Sequence, residues 1–459
     1  MRRFGCVAVL LFVVLGAAAC SSGKKIGGGL TGTSAPVPAT TSDVCKTTTL
    51  AASEVGVTPK TITVSVMADT GSQLRPGLFQ GSVDAVQAWA KYMNTEKGGL
   101  ACRQIVVKAL DSKLSGDDAK NGITTACGNS LAMVGTTALF LDDMSGAEKC
   151  KDRAGAATGI PDLAVLQTYA AQQCSPVSFA ALPSGASCPY TAGIRHFTAT
   201  TVTMDYYKKK YGATSLHGMY LIPSDLPSTI SASTPQVQAF TMQGIKNDRE
   251  FGASAGFTQS GYTPIVQAIK SDNATFVKNG SDVITSIFLR KEAQVQGVSS
   301  VKVWDCSLAC YDKRLIQQGG SAVEGQYAWL SFLPFEDQGH NAELDSFLKY
   351  DAKPDGFGAQ AWVAGEAFAT AVNAVVAKSG PNGLTRAALL EAIRGIHDFT
   401  AGGFVAPTDI GGRKGAACLI GMQVKAGKFV RVDPLEPGKF DCSGTVFSFS
   451  LDPVKAYTG

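Results

Sequence analysis

The sequence predicts an α/β protein made of two parallel-sheet lobes in tandem. Short β-branched and apolar runs alternate with stretches of helical periodicity, the order that generates parallel βαβ units in a sheet covered on both faces. That order appears once from Lys60 and again after Tyr190. The composition, 45% hydrophobic and 17% charged, supports a substantial core.

The first elements read as export machinery rather than fold. Arg2 and Arg3 precede the apolar run Val7–Leu15, then come Gly-Ala-Ala-Ala and Cys20, the charged, apolar, small-residue order of a signal peptide over residues 1–19. The apolar run is well short of the ~20 residues a membrane-spanning helix needs. Cys20 stands where a lipobox places its acylated cysteine, although Ala17 occupies a position where lipoproteins carry a larger aliphatic. Residues 21–44 are rich in Gly, Ser, Thr, Pro and Ala, a tether composition, and the segment 20–59 is assigned to the lipidated cysteine and tether. About 415 residues follow the tether, enough for two large domains of ~100–200 residues each. The formal charge of +4 falls to +2 without Arg2 and Arg3, so nothing electrostatic favours nucleic acid.

Of 12 cysteines, Cys6 leaves with the signal and Cys20 goes to lipid; the even remainder in an exported chain points to disulfides. Sequence alone leaves the pairing open. Short local loops would join Cys102 to Cys127, Cys150 to Cys174, Cys306 to Cys310 and Cys418 to Cys442, leaving Cys45 for Cys188. The competing use of Cys306 and Cys310 as metal ligands lacks a second ligand pair nearby, and the four histidines are scattered singly, so no metal is expected.

From Lys60 the body begins: the strand TITVSVMA (61–68), a polar loop, and a helix with Val83, Val86, Ala90 and Met93 inward, stopped at Gly98-Gly99. QIVVKAL, LAMVG and PDLAVL follow as strands, with helices opening near Asp117, around 144–155 and after PDLAVL. The second series is expected to open with a helix near Tyr190. It continues with the strand LHGMYLI (216–222), a helix over 234–247, another after Thr263, and the strands DVITSIFL (282–289) and VKVWD (301–305). After GQYAWLSF, helices are expected around 341–350, 359–378 and 385–396; in the long one Trp362, Ala369, Val372 and Val376 form a core stripe.

The stretch TITVSVMADTGSQLRPGLFQGSVDAVQAWAKYMNTEKGGLACRQIVVKALDS resembles the type I periplasmic binding proteins of ABC importers, in particular the Leu/Ile/Val-binding group. The likeness rests on order: the first strand and its Thr-Gly loop, the helix ending in Asn94, the Gly98-Gly99 turn, Arg103 and the strand ending in Asp111. LAMVGTT, GIPDLAVLQ and the closing GRKGAACLIGMQVKAGKFVRV continue it. The resemblance implies two Rossmann-like lobes joined by three crossovers around a ligand cleft, lobe 1 at 60–183 plus 333–411 and lobe 2 at 184–332 plus 412–455. It also implies a non-enzymatic, lipid-anchored binding subunit on the outer face of the cytoplasmic membrane, with ABC permease subunits as partners and no cofactor. The ligand would be a small polar solute, an amino acid such as a branched-chain one or a related carboxylate or amide. The alternative is a lipid-anchored sensor or adhesion module on the same fold without transport, since fold does not determine function.

In open parallel sheets the loops at the carboxyl ends of strands line the crevice. Thr136 and Thr137 follow LAMVG and offer hydroxyls and N–H groups suited to a carboxylate, the role the resemblance gives this loop; the alternative is helix capping. Gln73 and Gln167 lie on the loops after the first strand and after PDLAVL. Ser224 and Asp225 follow the strand LHGMYLI. Asp305 ends VKVWD and is the candidate partner of a ligand ammonium, with Trp304 as an apolar wall. The string Gly252-Ala-Ser254-Ala-Gly256 matches a nucleophile elbow in letters, but the polar residues around it do not supply the buried strand and following helix such an elbow needs.

Overall fold

The computed structural model describes residues 42–451 apart from 192–193, 213–214 and 226; the expected signal segment, Cys20 and residues 21–41 of the expected tether lie outside the described residues. A short helix, α1 (Ser42–Thr47), leads into β1 (Thr61–Ala68), α2 (Gln80–Glu96), β2 (Gln104–Asp111), α3 (Gly116–Asn129) and β3 (Ala132–Thr136). Then come α4 (Ser145–Glu148), β4 (Asp162–Ala164), α5 (Ala170–Gln173) and β5 (Ser178–Ala180). The five strands form one parallel sheet, order β2-β1-β3-β4-β5. Its centre is buried on both faces, with Ile62, Val64, Val66 and Met67 of β1 inaccessible, as a parallel sheet under helices requires.

The chain then forms β6 (Ala186–Thr191), β7 (Ile194–Thr200), α6 (Val202–Tyr211), β8 (His217–Pro223), α7 (Pro227–Met242), β9 (Lys246–Ala253) and α8 (Thr263–Ser271). It continues with β10 (Phe276–Asn279), α9 (Val283–Val295), β11 (Val303–Cys306), α10 (Lys313–Gly319) and β12 (Gln326–Leu330). Helices α11 (Ala342–Tyr350), α12 (Gly356–Ser379) and α13 (Arg386–Arg394) return to the first sheet, where α12 packs on α2 and β3. β13 (Ile420–Lys425) and β14 (Lys428–Asp433) close a seven-stranded sheet, order β14-β13-β12-β11-β10-β8-β9, and β15 (Val446–Leu451) joins β7 and β6 in a small antiparallel sheet. The chain therefore passes between the two large sheets three times: after β5, after β12 and before β13.

Several expectations are corrected. Residues 42–59 are not tether: Arg103, fully buried, donates to the carbonyls of Thr58, Ala51, Ala101 and Pro381, and Glu54 accepts from the Arg153 and Arg386 backbone N–H groups. This segment is sewn to the first sheet's domain despite its small-residue composition. DVITSIFL is helix α9, not a strand, because Asp282 caps it by accepting from the Thr285 N–H at 2.8 Å and Val283 and Ile287 bury a helical face. The strand expected there is β10, just upstream. The helix expected near Tyr190 is the β6–β7 pair, and only α4 forms within 144–155.

The disulfides are Cys45–Cys102, Cys127–Cys150, Cys174–Cys188, Cys306–Cys310 and Cys418–Cys442. The last two match the local-loop pairing; Cys102–Cys127, Cys150–Cys174 and Cys45–Cys188 are wrong. Once the N-terminal segment docks, Cys45 takes Cys102, and the partners slip by one cysteine as far as Cys188.

Candidate functional site

A cavity of about 440 Å³ lies where the two large sheets face each other. One side is built by residues beyond the carboxyl ends of β4 and β5, Val165–Thr168 and Leu182–Ser184, with Gln360 from α12. The other side comes from β11 and the turn after it (Asp305–Leu308), Trp329 and Ser331 near the end of β12, and Lys278 of β10. The placement obeys the rule that ligands occupy the crevice outside the carboxyl ends of parallel strands. A third wall comes from α7 and the small sheet, including Phe240, Phe197 and Phe449.

Asp305 lies in this wall, buried, and both of its oxygens are occupied. Lys278 donates to Oδ1, and the Tyr207 hydroxyl donates to Oδ2 at 2.6 Å. Tyr207 in turn accepts from the Trp329 indole N–H at 2.8 Å, and burial with the adjacent Asp305 pushes its hydroxyl well above the ordinary tyrosine range. Trp304 does not line the cavity: successive residues of a strand face opposite sides, and it packs under the Arg290 guanidinium, 4.4 Å from its ring centroid. The Cys306–Cys310 bridge ties the turn that presents Ser307 and Leu308 to the cavity.

Gln167 also reaches the cavity, anchored through its side-chain amide to Ser178 Oγ at 2.9 Å. Thr136 lies behind the lining, donating to Asp162 at 2.6 Å, and Ser178 donates to the other Asp162 oxygen at 2.7 Å. Burial pushes the Asp162 carboxyl up to about 6 against the pull of these bonds. Thr137 is buried, its N–H spent on the Met67 carbonyl and its hydroxyl without a partner among the described residues. Gln73 is exposed on the loop after β1, and Ser224 is half-buried at the end of β8; neither lines the cavity. The structure thus brings Gln167 and Asp305 together and leaves Gln73, Thr136, Thr137 and Ser224 outside. Ser254 donates to Asp225 at 2.6 Å and is followed by a turn rather than a helix, so the elbow string lacks its context.

Sequence reasoning missed Lys278, Arg195, Phe197, Phe240, Trp329, Gln360 and Phe449. A lysine inside the apolar strand FVKN was a readable signal, since a buried ammonium needs a partner. The β7–β15 wall had none, because its strands pair across some 250 residues of chain.

A family model described as periplasmic binding protein matches residues 61–428. No curated protein matches the chain. Among solved structures, a leucine-binding protein from Thermotoga maritima is 17% identical, covering 81% of this chain and 97% of its own, with a TM-score of 0.60. A fatty acid ABC transporter substrate-binding protein from Thermomonospora curvata is 16% identical over 82% and 92%, TM-score 0.64. A putative branched-chain amino acid ABC transporter protein from Rhodospirillum rubrum is 16% identical over 81% and 99%, TM-score 0.54. At these identities the likeness is one of fold, while the family match spans most of the chain. The chain belongs to the periplasmic binding protein family, whose members bind solutes rather than transform them.

Proposed function

We propose that this protein is the extracytoplasmic solute-binding subunit of an ABC importer, taking a small organic solute into the cavity between its sheets and closing on it by hinge motion at the three chain passages. The cavity itself carries the reading: it is drug-sized and takes walls from both sheets at their carboxyl ends. The lobes are 60–183 plus 333–411 and 184–332 plus 412–455. A lipid on Cys20 holds the receptor beside its permease.

An amino acid, such as a branched-chain one, or a related carboxylate or amide is the solute class the family likeness suggests. The leucine-binding neighbour supports it; the prior engagement of Thr136 by Asp162 and of Asp305 by Lys278 weighs against a zwitterion. The test is a thermal-shift screen of amino acids, amides, alcohols and carboxylates on the chain from residue 21 onward. Binding to the folded form raises Tm, so at least one solute class gives a saturable rise. No rise with any solute contradicts the proposal.

A further inference from the structure

Resting on the solute-binding reading, we infer that the cavity takes an apolar solute whose single polar end is uncharged and carries a donor hydrogen, an amide or a hydroxyl, rather than a zwitterionic amino acid. Three observations converge. Each wall contributes apolar side chains to the space: Leu166 and Leu182 from the first sheet's loops, Phe240 from α7, Phe197 and Phe449 from the small sheet, and Leu308 after β11. An enclosed ammonium needs a carboxylate. Among the described residues lining the cavity the one carboxylate is Asp305, with one oxygen held by Lys278 and the other by Tyr207. A ligand ammonium would have to displace the lysine that neutralises it.

Two of the unspent polar groups of the lining are amides, beside the hydroxyls of Ser184, Thr203 and Ser331. Gln243 of the lining donates to the Ala239 carbonyl at 3.0 Å, while its own amide oxygen is buried without a hydrogen-bond partner among the described residues. A buried orphan acceptor calls for a donor, which a carboxylate at neutral pH cannot supply and an amide or alcohol can. Gln360, buried on α12 across the cavity, makes no side-chain hydrogen bond to any described residue and can both donate and accept. The cationic groups are engaged within the protein: Lys278 by Asp305, and Arg195 by the Gln173 side-chain oxygen at 3.3 Å and the face of Phe197.

The test is isothermal titration of the chain from residue 21 onward with decanamide, decanol, decanoate and leucine. Decanamide or decanol is expected to bind at least tenfold more tightly than decanoate and leucine. Gln243→Leu is expected to weaken decanamide at least fivefold, and Ala239→Phe, which projects a ring into the space, to weaken the whole decyl series at least tenfold. Because either variant could fail by misfolding, the wild-type ranking of the four compounds decides. Leucine binding most tightly overturns this inference and leaves the solute-binding reading standing, as does decanoate exceeding decanamide. No binding by these four or by any solute of the thermal screen overturns both.

Discussion

Replacing Glu366 by glutamine should change how stability depends on pH. Glu366 of α12 accepts from the Trp89 indole at 2.9 Å, and Glu343 of α11 accepts from Trp362 at 2.6 Å, with the two carboxyls interacting directly. Burial, then the neighbouring Glu343, pushes Glu366 up to about 8 from 4.5. A carboxyl raised on folding binds its proton more tightly in the native state, so its stabilising effect is complete below the unfolded value and is lost as pH climbs through the folded one. The window is pH 4.5 to 8. Between pH 6 and 8 the loss is at most about 2.7 kcal/mol at 1.36 kcal/mol per unit. Residual exposure of the side chain brings this to ~1–2 kcal/mol. Glu366→Gln keeps the acceptor for Trp89 and removes the titration. Urea unfolding at pH 6, 7 and 8 should show wild type losing ~1–2 kcal/mol more than the variant. Parallel stability curves would refute the reasoning.

Lys278→Met strands the buried Asp305 carboxylate and should cost about 3–5 kcal/mol in denaturant unfolding, much of it recovered in the Lys278→Met, Asp305→Leu double variant. Replacing Cys45 and Cys102 by alanine opens a loop with a sequence separation of 57, and the chain-entropy relation gives a loss of about 4 kcal/mol; an unchanged unfolding midpoint would mean the N-terminal segment stays docked without its staple. Arg75 donates to Asp282 at 2.7 Å, tying the loop after β1 to the N-terminus of α9. Arg75→Ala should therefore weaken solute binding roughly three- to tenfold with little effect on Tm, and unchanged affinity in titration calorimetry would count against a closing role.

Much of the architecture was legible because local and global preferences agreed. β1 occupies the residues expected of it, being β-branched, apolar and bounded by polar turns. α11, α12 and α13 follow their periodicity and caps, with Asn341, Asp355 and Thr385 each accepting from first-turn N–H groups. α9 was misread because Val-Ile-Thr-Ser-Ile-Phe-Leu is as apolar as a strand, and the deciding signal was the single cap Asp282. The rule that ligands gather at strand carboxyl ends reached Gln167 and Asp305. It failed at Thr136 because the loop after β4 folds over that residue, Val165 and Leu166 both donating to its carbonyl. The small-sheet wall and the shifted disulfides depend on non-local docking that no window of sequence reports.

The most direct measurement is hydrogen exchange of the backbone amides, read by mass spectrometry, with and without the solute giving the largest thermal shift. Bound solute should slow exchange in peptides covering 165–168, 195–200, 305–308 and 329–331, the segments that enclose the cavity from both sheets. Protection confined to one sheet's segments, or centred on the Thr136–Thr137 loop, would contradict a solute held between them.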